Sequence, residues 1–210
     1  KIAPFSGTYR DACPSIVKNG NRIYFTSYRN SNYSKIWYTD RNSTNTWNTP
    51  ITLIMPDTIT KDIRNICFVN DSVFYFDMEY GNNDNDIFRG IIRNEECVSV
   101  QHTGQQINSA GPDVEAVVDP DEKYMIFYSI KRNGHIGTST TGDLYISYNV
   151  NGEWSIPVNM GTPINSTAEE SWPSIDFNNN VLYFNSNRSN SNGFPNIYWV
   201  KLDKYIDLKK

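Results

Sequence analysis

The chain is poor in the side chains that most often carry chemistry. Its 210 residues hold three cysteines, Cys13, Cys67 and Cys97, and two histidines, His102 and His135. An odd number of cysteines at wide, irregular spacing gives neither a disulfide framework nor a zinc-ligand pattern. Cys67, inside the apolar run Ile66-Cys67-Phe68-Val69, reads as a buried inert thiol. His135 lies in the polar run Asn133-Gly134-His135-Ile136-Gly137 and reads as an exposed loop residue. Neither histidine has the partners that a Ser-His-Asp or metal constellation requires, so no metal and no cofactor is expected. Positive charge is sparse as well. The net charge is −4, and the one basic cluster, Lys201, Lys204, Lys209 and Lys210, reads as a solvated tail, which excludes nucleic acid as a partner. No apolar run approaches the ~18–20 residues of a membrane span, so membrane insertion is not expected. The chain opens Lys1-Ile2-Ala3-Pro4 without a hydrophobic leader, as a mature, processed or trimmed chain would. A convincing 3.6-residue apolar period is also missing, and only Lys201 to Lys210 offers a terminal helical turn.

What the sequence has instead is a repeat. An aromatic strand ending in a small or polar residue occurs four times: Ile23-Tyr24-Phe25-Thr26-Ser27, Val73-Phe74-Tyr75-Phe76-Asp77, Met125-Ile126-Phe127-Tyr128-Ser129 and Leu182-Tyr183-Phe184-Asn185-Ser186. With Phe25, Tyr75, Phe127 and Phe184 as markers, the spacings are 50, 52 and 57. A second strand follows each one, opening at Ile36, Ile87, Leu144 and Ile197 with spacings of 51, 57 and 53, so the two series march together. A shorter strand precedes each: Ser15-Ile16-Val17, Ile66-Cys67-Phe68, Ala116-Val117-Val118 and Ser174-Ile175-Asp176. A fourth has the form Trp-x-x-Pro at Trp47 to Pro50 and Trp154 to Pro157, is degenerate at Glu96 to Val100, and is missing after the last repeat.

Four strand-rich units of about 50 residues predict an all-β fold, a small propeller of four blades with four antiparallel strands each. The blades are expected at about 12–54, 63–104, 112–161 and 170–202 plus 1–5, one domain over 1–210. In this reading residues 1–5 supply the outer strand of the last blade, with Lys1 at the tryptophan position and Pro4 at the proline position, which removes exposed sheet edges. The alternative is five blades, or a fragment of a larger propeller.

The repeat resembles the WD40-like (PD40) repeat of bacterial envelope and secreted propellers, related to TolB. The resemblance is carried by Glu170-Ser171-Trp172-Pro173-Ser174-Ile175, Val181 to Arg188 and Asn196 to Val200 in the last repeat, and by Asp119 to Phe127, Gly142 to Ser147 and Asn151 to Gly161 in the third. It spans nearly the whole chain. It implies a binding or scaffold module outside the cytoplasm, extracellular or periplasmic, and brings no shared catalytic set. The family's Asp before the third strand is kept at Asp86 and Asp143 and replaced by Lys35 and Asn196.

Two constellations are candidates for function. Arg29, Glu79, Arg132 and Arg188 follow the aromatic strands at equivalent positions, and equivalent strand ends fall on one face of a propeller. Three guanidiniums and a carboxylate there would suit acidic groups of a glycan or a protein partner; the competing reading is that each arginine braces a neighbouring blade through backbone carbonyls. Glu79, Asp113, Glu115, Glu169 and Glu170 are the candidate acids of a glycoside hydrolase-like enzyme, since Glu115 and the Glu169-Glu170 pair precede innermost strands, which line the axis. The acidic loop Gly81-Asn82-Asn83-Asp84-Asn85-Asp86 lacks the distal glutamate of an EF-hand and reads as a turn. The expected function is therefore a non-catalytic binding or scaffold propeller for a glycan or protein partner. The alternatives are a glycosidase with axial acids and a structural module of an envelope assembly.

Overall fold

The computed structural model describes residues 2–81, 84–138, 140–189 and 194–206. Among these residues sixteen strands form four antiparallel sheets arranged in a ring as propeller blades. Blade 1 holds β1 (Asp11–Val17), β2 (Arg22–Ser27), β3 (Lys35–Asp40) and β4 (Ile51–Thr52), paired in that order. Blade 2 holds β5 (Ile63–Phe68), β6 (Val73–Tyr80), β7 (Asp84–Arg93) and β8 (Glu96–His102). Blade 3 holds β9 (Asp113–Val118), β10 (Tyr124–Ile130) and β11 (Gly142–Val150), whose outer edge carries β12 (Glu153–Trp154) and β13 (Val158–Asn159). Blade 4 holds β14 (Glu170–Asp176), β15 (Val181–Ser186) and β16 (Asn196–Lys201). The C-terminal helical turn is a single 3-10 turn, Leu202–Lys204.

Alternating side chains of each middle strand point to opposite faces, so each aromatic strand feeds two interfaces. One core cluster joins blades 1 and 2 through Tyr24, Ile36, Tyr38, Phe74, Phe76 and Phe88. A second joins blades 2 and 3 through Tyr75, Ile87, Met125, Phe127 and Tyr145. A third joins blades 3 and 4 through Ile126, Tyr128, Leu144, Ile146, Leu182 and Phe184. Among the described residues no such cluster joins blade 4 to blade 1.

The sheet register corrects the repeat in one place. Phe25 lies opposite Trp37, Phe127 opposite Tyr145 and Phe184 opposite Tyr198, and their counterpart in blade 2 is Phe76, opposite Phe88, not Tyr75. Backbone bonds fix this alignment: the carbonyls of Ile36, Ile87 and Leu144 accept the amides of Leu53, Thr103 and Met160 in turn. The run Val73-Phe74-Tyr75-Phe76 is aromatic at three successive positions, so composition alone cannot tell which face each ring takes.

The outer strands also differ from expectation. In blades 1 and 3 the outer rungs, Ile51–Thr52 and Val158–Asn159, follow the prolines, while Trp47 only bridges Arg41 and Trp154 closes a hairpin against Asn149. Ile2–Phe5 is in no sheet. The Phe5 ring stacks on Phe25 at 5.4 Å and its carbonyl accepts a bond from Arg29, so this segment belongs to blade 1. Among the described residues blade 4 has three strands, and the described part of residues 1–5 does not complete it.

Gly90 and Gly142 are buried against aromatic rings. Gly90 sits opposite Phe74 and Gly142 lies under the Tyr128 ring; a Cβ on Gly90 would lie 2.2 Å from Phe74 Cζ, and one on Gly142 would lie 2.3 Å from Tyr128 Cζ. Gly90→Ala is expected to lose about 1–3 kcal/mol in urea unfolding, the usual cost of overpacking. A loss under about 0.5 kcal/mol would show that the Phe74 ring moves aside freely.

Candidate functional site

The innermost strands β1, β5, β9 and β14 stand around the axis, and each carries a bulge at the same place. Register shifts fall between Ala12 and Ser15, Ile63 and Ile66, Val114 and Val117, and Ser171 and Ser174. Cys13, Glu115 and Trp172 occupy the bulges with φ of 50°, 59° and 53°. Left-handed backbone is uncommon for non-glycine residues and is a strained state for a tryptophan, and bulges re-aim side chains. Asn65 is the counterpart in blade 2. These four residues line both a cavity of about 530 Å3 on one side and one of about 290 Å3 beyond it, and so divide the axial opening.

A line of hydrogen bonds crosses the larger cavity from blade to blade. The Cys13 thiol donates to Asn65 Oδ1 at 3.3 Å, and Asn65 Nδ2 donates to Asp77 Oδ1 at 2.9 Å. The Glu115 amide donates to the same Asp77 oxygen at 3.1 Å, and the Trp172 amide donates to Glu115 Oε2 at 2.6 Å. Asp77 is 1% exposed, and its Oδ2 is buried without a hydrogen-bond partner among the described residues, as is Asn85 Oδ1 on the same wall. Burial pushes Asp77 up to about 6, against the smaller opposing effects of the Asn65 and Glu115 bonds. Burial pushes Glu115 up to about 7, with the charges of Asp77 and Glu169 adding to it. Tyr28, Arg10, Arg64 and the half-exposed Trp172 frame the opening.

Of the candidate acids, only Glu115 lies in this cavity. Glu169 is half-buried outside its lining and acts on Glu115 through its charge. Glu79 pairs with Lys61 at 2.9 Å near the surface. Asp113 and Glu170 are fully buried and belong to a different arrangement, which also absorbs the arginines. Arg29 pairs with Asp11 at 2.7 Å, Arg132 with Asp113 at 2.8 Å and Arg188 with Glu170 at 3.1 Å. Each acid also accepts a bond from a connector serine: Ser6, Ser109 and Ser166. Further guanidinium hydrogens go to connector carbonyls, those of Phe5, of Gln106 and Ile107, and of Pro163 and Ile164, and the Nε groups of Arg132 and Arg188 donate to the Ser129 and Ser186 hydroxyls. Each guanidinium further lies over the aromatic ring of its own third strand, Trp37, Tyr145 or Tyr198.

Blade 2 lacks this brace. With Phe76 as its marker, the arginine position is Tyr80, not Glu79, and the Tyr80 ring packs edge-on against Phe88 at 5.6 Å. The acid position is Ile63, opposite Met78, where the other blades set an acid opposite serine. Both halves of the ion pair are replaced together.

Neither histidine is a free loop residue. His102 bonds Asp86 at 2.8 Å and lies 2.9 Å from the Asn108 amide. Asp143, Asn159 and Asn165 repeat that network in blade 3, where His135 Nδ1 lies 3.4 Å from Asp143. No cluster of three metal-ligating side chains occurs among the described residues; Asn82 and Asn83 of the acidic loop lie outside them.

Sequence reading missed Asp77, Asn65 and Asn85. One signal was available. The residue after the marker phenylalanine is Thr26, Tyr128 or Asn185 in the other repeats, so an acid there, in mid-sheet, is the exception.

No protein-family model matches the sequence, and no curated protein matches it. Among solved structures, TolB from Acinetobacter baumannii superposes with a TM-score of 0.64 at 18% identity, over 96% of this chain and 43% of that one. A putative TolB from Agrobacterium tumefaciens gives 0.65 at 13%, over 94% and 64%. The Penicillium chrysogenum α-L-arabinanase complexed with arabinobiose gives 0.55 at 16%, over 98% and 62%. The chain thus spans less than two thirds of each, and at these identities the likeness shows the fold alone, a β-propeller.

Proposed function

We propose that the chain is a non-catalytic binding propeller that takes a neutral glycan in its axial cavity, on one face of the ring. The observation that carries this reading is the hydrogen-bonded line from Cys13 through Asn65, Asp77 and Glu115 to the Trp172 amide, in which residues of all four blades meet at one opening. Two of them are acids that burial raises, Asp77 to about 6 and Glu115 to about 7. A protonated carboxyl donates as well as accepts, and so do the amides of Asn65 and Asn85. That is the complement of hydroxyl groups, and it disfavours a ligand whose anionic charge would face Asp77. The half-exposed Trp172 indole offers an apolar surface for the CH face of a sugar ring. The likeness to an arabinanase complexed with arabinobiose supports the ligand class. The likeness to TolB propellers supports an extracellular or periplasmic place and leaves a protein partner as the alternative occupant.

One observation favours a second reading, an axial glycosidase. A carboxyl held protonated near neutrality is what a general acid requires, and Glu115 is such a group. A glycan array with a thermal-shift screen, followed by a turnover assay on every hit, separates the two. A hit that raises the melting temperature and is recovered unchanged supports binding, and Asp77→Asn, a neutral near-isostere, is expected to keep it while Trp172→Ala weakens it about tenfold, within the range of an aromatic contact. A hit that is consumed overturns the binding reading in favour of catalysis, with Glu115→Gln the variant to test. No hit leaves only the protein partner.

A further inference from the structure

The axial cavity has two chemically different ends. Inside it, Asp77 is 1% exposed, and its Oδ1 accepts both the Asn65 side-chain amide and the Glu115 backbone amide. A proton on this carboxyl therefore lies on Oδ2, which is buried without a hydrogen-bond partner among the described residues, as is Asn85 Oδ1 on the same wall. Hydroxyl groups satisfy both atoms, accepting from one and donating to the other. A carboxylate brought to the same place would face the acids as a like charge. The inner end thus takes a neutral group.

The mouth is the reverse. Arg22, Arg29, Arg89, Arg132 and Arg188 each pair with an acid. Among the described residues Arg10, Arg64 and Arg93 make no ion pair and donate no hydrogen bond, and the first two are exposed side chains of this cavity's lining. Arg10 directly precedes β1 and Arg64 lies in β5, so neighbouring blades supply them. The charges of both act on the phenol of Tyr28, which lines the same cavity. The acids next to them are engaged elsewhere: Asp11 by Arg29 and Ser6, and Asp62 by the Ser34 amide at 2.6 Å and the Tyr28 hydroxyl at 3.1 Å. In a chain of net charge −4, two unpaired guanidiniums at one opening leave a place for an anion from outside. The guanidinium fork matches the two oxygens of a carboxylate.

Resting on the glycan reading of this cavity, we infer that its ligand is an acidic glycan of alternating units: a neutral sugar seated inside, against Asp77, Asn85 and Trp172, joined to a uronate whose carboxylate is held at the mouth by Arg10 and Arg64. A glycan acidic at every unit is disfavoured by the inner end, and one neutral throughout leaves both arginines unused. An acidic peptide meets the arginines but brings charge, not hydroxyl groups, to the inner end.

The test titrates the full chain by calorimetry with hexasaccharides of hyaluronan and of desulfated chondroitin, which alternate a uronate with a neutral acetamido sugar. The same oligosaccharides are titrated after reduction of every carboxyl to the alcohol. The measurements are made at low salt and at pH 5, below the values of the axial acids. An acidic form is expected to bind at least about tenfold more tightly than its reduced form, a difference of about 1.4 kcal/mol. Trigalacturonate, acidic at every unit, is expected to bind more weakly than the alternating chain. In Arg10→Gln with Arg64→Gln the acidic and reduced forms are expected to bind alike. Both side chains are exposed and unpaired, so this variant is expected to melt with the parent, which circular dichroism checks. Equal binding of the acidic and reduced forms to the parent overturns the inference and leaves the glycan reading standing. So does a preference that survives in the double variant, or trigalacturonate binding as tightly as an alternating chain. Binding of neither form also overturns it, and the glycan array then decides the wider reading alone. Hexaglutamate binding as tightly as the oligosaccharides overturns it in favour of a protein partner.

Discussion

Raising the pH from 5 to 8 is expected to destabilise this protein, and Asp77→Asn is expected to abolish much of the loss. Asp77 is raised from 3.8 to about 6 by burial. Between those values the folded state keeps a proton that the unfolded chain has released. Stability falls wherever the native state binds more protons as pH rises, so the loss begins above pH ~4 and is complete once the pH has passed 6. A pKa rise of about two corresponds to about 3 kcal/mol, taken as a ceiling. Glu115, raised from 4.5 to about 7, extends the window toward pH 8. The two are not additive, because each charge adds to the other's cost.

The opposite group of acids does not confuse the measurement. Asp11, Asp40, Glu95 and Glu122 are lowered: Asp40, Glu95 and Glu122 foremost by bonds from arginine, Asp11 by its bonds from Arg29 and the serines against the cost of its burial. Their stabilisation is present above their unfolded values of 3.8 and 4.5 and is lost only as pH falls below them. Urea unfolding at pH 5, 6, 7 and 8 on the parent and on Asp77→Asn, compared pairwise so that the histidines cancel, isolates the axial acid. The asparagine keeps an acceptor for the Asn65 and Glu115 donors. At pH 8 a gain of about 1–3 kcal/mol is expected, or about 2–4 °C in melting temperature for each kcal/mol at this size. Parallel pH profiles for the two proteins would mean that Asp77 is ionised and solvated in the native state, and the neutral-ligand argument would fall with it.

The fold was readable because a blade is a local pattern. Strand alternation, turn residues and the march of Ile36, Ile87, Leu144 and Ile197 are properties of short segments. Register was less readable where local chemistry is degenerate, as in Phe74-Tyr75-Phe76, and that one-residue slip put Glu79 where Tyr80 stands. The cavity was least readable. Cys13, Asn65, Glu115 and Trp172 become neighbours only because four bulges at matching positions turn them to one axis, and nothing in the identity of a cysteine, an asparagine, a glutamate and a tryptophan announces a shared position. The competing reading of the arginines, as braces on backbone carbonyls, accords with their bonds to Phe5, Ile107 and Ile164. The N-terminal segment was misread for a related reason. A proline four residues into the chain fits an outer strand, but Ser6 and the Phe5 carbonyl do for Asp11 and Arg29 what Ser166 and the Ile164 carbonyl do for Glu170 and Arg188.

Arg132→Tyr is expected to cost about 3–5 kcal/mol, and adding Asp113→Ile and Ser129→Met to recover most of it. Asp113 is fully buried, and its guanidinium partner is 11% exposed. Removing one member of such a pair leaves a buried charge without compensation, which is far costlier than the pair is worth. Replacing both members by apolar groups of suitable volume is often neutral, because the desolvation of both ions is avoided. Blade 2 already carries that solution: Tyr80 against Phe88, Ile63 2% exposed, and Met78 opposite it. Transplanting the three blade-2 residues therefore asks whether the brace in blade 3 supplies stability or only geometry. The connector is the measure of geometry, since Arg132 ties the Gln106 and Ile107 carbonyls to blade 3. If the triple variant regains stability while amide exchange at Ile107 and Asn108 quickens, the ion pair serves to fix the connector between blades. If the triple variant is no more stable than Arg132→Tyr, the apolar solution depends on blade 2's own surroundings and the equivalence drawn between Tyr80 and the arginines is wrong.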